Sequence, residues 1–380
     1  MLLASVILAI LVYGVISSML GSLLPALGFT GAQNGTLALT QATGLAIAAL
    51  FAGPLIDTRG KKTAMVAGLS AMAAALWLIP NATGNFQAMA VLWFLLGLGG
   101  GVMGTASNSL LSDIGGIERR AAVLNTGNLF FGVGLMITPF LASNVFAGSV
   151  RGSCYFAAVL VTGTLAVHAV IRMPARDTGN PFRWKQAGML LRNSAMHWFM
   201  LFSFLYVATE VGVSNWLVKY LIAQGIPREH ALKIMSLGFA FGLLTGRTVA
   251  SRLLTRSSAA NAVVVSAILI TLTTIWILYS GPGEIGAAVS VFCAGLAMSA
   301  AFPTLLSLVA DAFPTATGTA LGLVTTSGWA GLAVSSSLIG VIAGADGVHL
   351  GKALLLFPVF SAGMVGVSLA IRSRLSRTQA

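Results

Sequence analysis

Charge is what this sequence has least of. Only 8% of its 380 residues are Asp, Glu, Lys or Arg, against roughly 25% in a soluble domain. Hydrophobic residues make up 57%, and mean hydropathy is +0.92. A soluble fold cannot cover that much apolar surface, so the composition implies a polytopic helical membrane protein.

The scarcity extends to reactive side chains. There are two cysteines, Cys154 and Cys293. Both lie in apolar runs without metal-ligand spacing, and they read as packing residues. His168 and His197 fall near the ends of apolar runs and read as interfacial. No Ser/His/Asp grouping, P-loop or metal-ligand cluster can be assembled, so we expect no enzyme, cofactor or metal. The net charge of +12 lacks the basic helix with interleaved aromatics that nucleic acid requires. It is read instead as short basic loops that orient the chain in a bilayer. The first residues lack a positive n-region and a cleavage site, which makes them a first membrane helix rather than a signal peptide.

What is abundant is long apolar runs, at about residues 2–27, 34–56, 63–80, 87–112, 120–145 and 151–172, then 195–222, 229–253, 259–280, 284–311, 317–344 and 350–371. Each is long enough to cross a bilayer as a helix. Abundant glycine, 44 residues, suits close helix packing in lipid. The polar stretch from Arg172 to Arg192 divides six runs from six. The expected fold is therefore an all-α membrane protein of twelve transmembrane helices in two six-helix pseudo-symmetric bundles, 1–172 and 195–380, joined by a cytoplasmic linker, 173–194. With that linker in the cytoplasm, 16 of the 21 Lys and Arg lie inside and 5 outside, which puts both termini in the cytoplasm.

The halves echo each other. Gly53 and Arg59 match Gly246 and Arg252, 193 residues on. The stretch from Gly97 to Asp113 matches that from Gly295 to Asp311, 198 residues on. A unit doubled in tandem is a parallel repeat with its axis along the membrane normal.

One acid stands apart. Eight of the nine acids fall at helix ends or in loops, but Glu210 lies in the middle of the seventh run. An ionised carboxylate there costs about 2.5 kcal/mol or more. Ser203, Tyr206, Glu210 and Ser214 share one helical face, which must turn from lipid toward a bundle interior or wet cavity. The acid is read as a titrating or substrate-binding group, and desolvation favours its neutral form. The competing reading is a structural Glu hydrogen-bonded between helices.

Other polar groups share faces in the same way. They are Tyr13 in the first run, Asn34 and Gln41 in the second, and Asn108 in the fourth, beyond Gly97, Gly101 and Gly104. Asn125 and Asn128 follow in the fifth, Asn215 and Trp216 in the seventh, and Thr325 and Trp329 in the eleventh. Amides suit hydroxyl-rich solutes because each carries donors and an acceptor, and they serve equally as interhelical glue. Trp216 could stack on a sugar ring, close an outer gate or anchor at the interface.

After the second run comes Gly53-Pro-Leu-Ile-Asp57-Thr-Arg59-Gly-Lys61-Lys62. With twelve runs and a long middle loop, it resembles the inner-loop signature of the major facilitator superfamily, with Thr58 between the Asp and the Arg. Tyr206-Val-Ala-Thr-Glu210, with Trp216 and Tyr220, resembles the matching segment of sugar carriers in the fucose–proton symporter family. So do Leu124-Asn125 to Gly134 and Ala106-Ser-Asn108. The resemblance implies substrate binding between two rocking lobes. It also implies a gating latch at Asp57, Arg59 and Lys61, extended by Arg119 and Arg120 with Asp113 and, in the second half, by Arg247 and Arg252. One departure is that the fucose carriers' own acids are missing, since Gly104 stands at one place and the first run has no acid.

The sequence thus points to a monomeric carrier in the cell inner membrane. It would move a small polar solute, a sugar or related hydroxylated compound, with protons or sodium as coupling ion and Glu210 as coupling group. The alternatives are proton-coupled efflux of amphipathic compounds and a membrane-embedded enzyme or receptor on the same fold.

Overall fold

The computed structural model describes the backbone of residues 1–173, 184–253, 258–281, 283–313, 317–344 and 349–379. The side chains at 57, 112, 115–126, 128, 184–186, 250–253, 317–318 and 375–379 are not described. Among the described residues every regular element is helical.

The first half contains α1 (Leu2–Ala26) and α2 (Gly31–Arg59), then α3 (Lys61–Asn81), α4 (Phe86–Leu111), α5 (Leu129–Asn144) and α6 (Val150–Val170). A short helix, Trp184–Leu190, precedes the second half. There follow α7 (Ser194–Ala223), α8 (228–253), α9 (Ala259–Tyr279), α10 (Glu284–Ala312), α11 (Thr317–Ala343) and α12 (Leu350–Arg374). Ten of these are long and apolar enough to span a membrane, and α5 is a shorter apolar helix. α8 is divided by a π-helical segment, Ile234–Ala240, and brings the number of rods to twelve.

Local chemistry sets the ends. Thr30 and Gln33 form a reciprocal capping box at the start of α2, with bonds of 3.2 and 3.0 Å, satisfying two backbone donors that a helix start leaves open. Gly60, at φ +82°, turns the chain from α2 into α3, a conformation glycine adopts without strain. Helical backbone continues from α4 into α5, yet Leu111 packs on Gly127. A straight helix would hold those residues roughly 24 Å apart, so the chain reverses between them.

Buried apolar side chains form two clusters. One draws only on residues between Val6 and Val161. The other draws almost wholly on residues between Leu190 and Ile371. Large apolar side chains point outward as well, as do Val265, Ile268, Leu272 and Trp276 along α9, which is the surface a helix presents to lipid.

The two halves are built on one plan. Gly44 and Gly97 let α2 and α4 cross backbone to backbone, and Gly242 and Gly295 do the same for α8 and α10, each 198 residues on. Thr138 of α5 donates to the Val15 carbonyl of α1 at 2.7 Å, and Ser335 of α11 donates to Ala208 of α7 at 3.2 Å. The repeat of Gly97 in Gly295 is therefore in register. The match of Gly53 to Gly246 is not. Gly246 packs on Ser299 as Ala48 packs on Gly101, so Gly246 corresponds to Ala48, five residues earlier.

The halves meet mainly at the face away from the chain termini. There Gly31 and Gly35 of α2 lie against Gly340 and Gly344 of α11, and Gly21 of α1 lies against Ser214 of α7. Ser143 donates to the Glu229 carbonyl at 3.2 Å, and Arg228 to the Gly148 carbonyl at 2.8 Å. On the face bearing the termini, three polar contacts lie within one half. Lys61 pairs with Asp113, Lys62 donates to Ile171 at 3.0 Å, and Arg374 donates to Ser194 at 2.6 Å. The described contacts between the halves thus close the far face.

Candidate functional site

Glu210 stands sixteen residues after the start of α7 and thirteen before its end, which is roughly 20 Å or more from either tip. Its surface is partly accessible. Such a position fits a water-filled cavity reaching mid-depth.

Two groups meet it. The Tyr206 hydroxyl lies one turn back on the same face, and the Arg247 guanidinium of α8 is the opposite charge that acts on the acid. The Tyr206 ring is buried and stacks between Phe202 and Phe302, at 6.5 and 5.7 Å. Its hydroxyl donates to the Met298 carbonyl of α10 at 2.7 Å. A phenol has one proton, so toward Glu210 the Tyr206 oxygen offers only lone pairs. A neutral Glu210 can donate to that oxygen, whereas an ionised one is matched instead by Arg247.

Arg247 also lies over the Phe131 ring of α5, 5.9 Å from its centre, a cation–π distance. Phe131 in turn packs on Tyr13 of α1 at 5.3 Å. Helices α1, α5, α7, α8 and α10 thus contribute neighbouring residues to one region holding Glu210, Arg247 and aromatic rings. This corrects the sequence reading of Arg247. It lies within α8, over Phe131 and near Glu210, rather than in a loop at the terminal face. The preceding π-helical turn of α8, a feature often found at functional sites, escaped the sequence because no residue type marks it.

The amides fare differently from expectation. Asn34 is buried and donates to the Phe29 carbonyl at 3.1 Å. Gln41 is buried where α2 crosses Gly97, and Asn215 is buried under Gly21 of α1. All three side chains are buried in this conformation, and the Asn34 Oδ1 and Asn215 Nδ2 atoms have no hydrogen-bond partner among the described residues. Asn108 is exposed, and Tyr13, Thr325 and Trp329 are partly exposed. The side chains of Asn125 and Asn128 lie outside the described residues. Trp216 is fully buried, with the Lys219 ammonium 5.9 Å from its ring. In this conformation it is neither an interfacial anchor nor open to a solute. His168 is also a packing residue rather than an interfacial one, its Nδ1 2.8 Å from the Thr164 carbonyl.

Of the latch residues, Lys61 pairs with Asp113 and Arg59 is exposed. The side chains of Asp57, Arg119, Arg120 and Arg252 lie outside the described residues. No group of three metal-ligating side chains occurs among the described residues. A small apolar recess between α7, α9 and α12, bordered by Val213, Leu217 and Phe357, lacks a charged anchor and does not touch the Glu210 pair.

The profile of the major facilitator superfamily matches residues 2–336, and the chain belongs to that family of membrane transporters. It is 24% identical to the cis,cis-muconate transport protein of Acinetobacter baylyi over 385 aligned residues, covering 94% of this chain and 91% of that protein. The solved nucleoside transporter NupG superposes with a TM-score of 0.80 at 16% identity, over 98% of this chain and 100% of that one. The E. coli fucose–proton symporter FucP superposes at 0.70 with 17% identity, over 97% and 98% of the two chains. At these identities the structures speak for the fold.

Proposed function

We propose that this chain is a proton-coupled secondary transporter of a small polar solute, working by alternating access between the bundles 1–172 and 195–380. It would act as a monomer in the cell inner membrane, with the terminal face and both termini in the cytoplasm. The observation behind this is Glu210, a partly accessible acid at mid-depth facing Arg247 across the α7–α8 boundary. A carboxyl able to alternate between Arg247 and the Tyr206 oxygen can take a proton from one side and release it to the other. With the far face closed, the described conformation would open toward the cytoplasm.

The aromatic surround also supports a second reading, efflux of amphipathic compounds in exchange for protons. In proteoliposomes with an imposed pH gradient, the direction in which label accumulates separates the two. The coupling role is tested by Glu210→Gln, which should abolish gradient-driven accumulation yet leave counterflow exchange. Normal accumulation by that variant would refute coupling through Glu210. Replacing sodium by choline should leave transport unchanged.

A further inference from the structure

The composition of the site narrows the solute. A polyhydroxylated solute needs many amides and hydroxyls facing it. Asn34, Gln41 and Asn215 are instead buried in this conformation. The described groups placed about Glu210 are the Arg247 guanidinium and two partly exposed aromatic rings, Phe131 under Arg247 and Phe302 against Tyr206. A guanidinium is the side chain best shaped for a carboxylate, which it meets with two parallel hydrogen bonds.

Building on the proton-coupled reading, we propose that the solute is an organic acid anion whose carboxylate docks on Arg247 in exchange for the Glu210 carboxylate. Its unsaturated or apolar body lies against Phe131 and Phe302. Glu210 is then an internal competitor for the cation. While ionised it holds Arg247. When it takes a proton from solvent it turns to the Tyr206 oxygen, whose own proton is committed to Met298, and Arg247 receives the solute. Proton and anion bind together, and neither binds well alone. That is a coupling free energy between two ligands of one site, and it is reciprocal. The titratable and charged groups facing Glu210 among the described residues are Tyr206 from its own helix and Arg247 from α8. Tyr13 of α1 packs on the Phe131 ring and against Gly100 and Gly104 of α4.

The test measures binding of cis,cis-muconate, benzoate, succinate and neutral fucose to the purified full chain, by thermal shift and intrinsic tryptophan fluorescence. Wild type should bind at least one carboxylate and tighten on acidification by up to about tenfold per pH unit, the slope of one linked proton. Glu210→Gln should bind the same carboxylate with no pH dependence. Arg247→Gln should lose about tenfold or more. Arg247→Lys, which keeps the charge but not the planar fork, should fall between them and guards against a folding defect. Binding of fucose without any carboxylate would overturn the anion assignment while leaving proton coupling intact. Carboxylate binding undiminished in both Arg247 variants would overturn the docking role, and so would wild type binding none of the four. Carboxylate binding with a persistent pH slope in Glu210→Gln would overturn the competition.

Discussion

Gly35 of α2 and Gly340 of α11 meet backbone to backbone, and a Cβ on either would lie within 2.8 Å of the other's Cα. This contact joins the halves at the far face. A side chain there must push the helices apart.

Gly340→Leu should therefore favour the state with the far face open. Overpacking of this kind costs about 1–3 kcal/mol, which would shift the balance between closed and open far face by about 5- to 150-fold. Thiol labelling of a cysteine introduced at Ser214, which faces Gly21 in the same seam, measures it. Faster labelling from outside, with slower transport, is the expected outcome. Unchanged labelling would mean the glycine contact does not hold the face shut.

Tyr206→Phe removes the 2.7 Å bond to Met298 and the oxygen that neutral Glu210 would use. One lost hydrogen bond costs about 0.5–1.5 kcal/mol of stability, a small drop in Tm. The larger effect should appear in the pH profile of binding, which moves to lower pH because the protonated carboxyl has lost its acceptor. An unmoved profile would restrict Tyr206 to packing.

Trp216→Ala separates packing from recognition. Full burial of that ring predicts a loss of about 3–5 kcal/mol, as for other large-to-small core changes. Tm should fall well before any solute is added. Affinity in the surviving folded protein should change little. A stable variant with greatly weakened binding would return Trp216 to the site.

Asp113→Asn breaks the pair with Lys61. Both groups are accessible, so the pair is worth about 0–1 kcal/mol, and Tm should hardly change. If the pair biases one conformation, as its place at the terminal face suggests, maximal transport rate changes severalfold at constant KM. A change in KM with normal rate would contradict a gating role.

Much of the architecture was legible because hydropathy and length are enough to find membrane spans. Glu210 was legible for the related reason that a carboxyl in oil is conspicuous. Arg247 was not. Pairing Gly246 with Gly53 placed it just past a helix end, whereas the packed register pairs Gly246 with Ala48, well inside one. An error of five residues moved a cation from the neighbourhood of Glu210 to a loop. The amides were legible only as residues sharing a face. Helical period shows that much, but the burial of Asn34, Gln41 and Asn215 is set by tertiary packing. Trp216 followed the same rule.

The internal repeat also relates the two seams at the far face. Gly31 opposite Gly340 in one seam corresponds to Glu229 opposite Ser143 in the other. Where the first has a bare glycine against a carbonyl, the second has a hydroxyl bonded to one at 3.2 Å. The mates are alike in place and unlike in chemistry. Water can replace a hydroxyl's partner at small net cost, but it cannot restore the dispersion lost when two backbones separate. Opening is then a lopsided event, a hinge that loosens at the wet edge before the dry one.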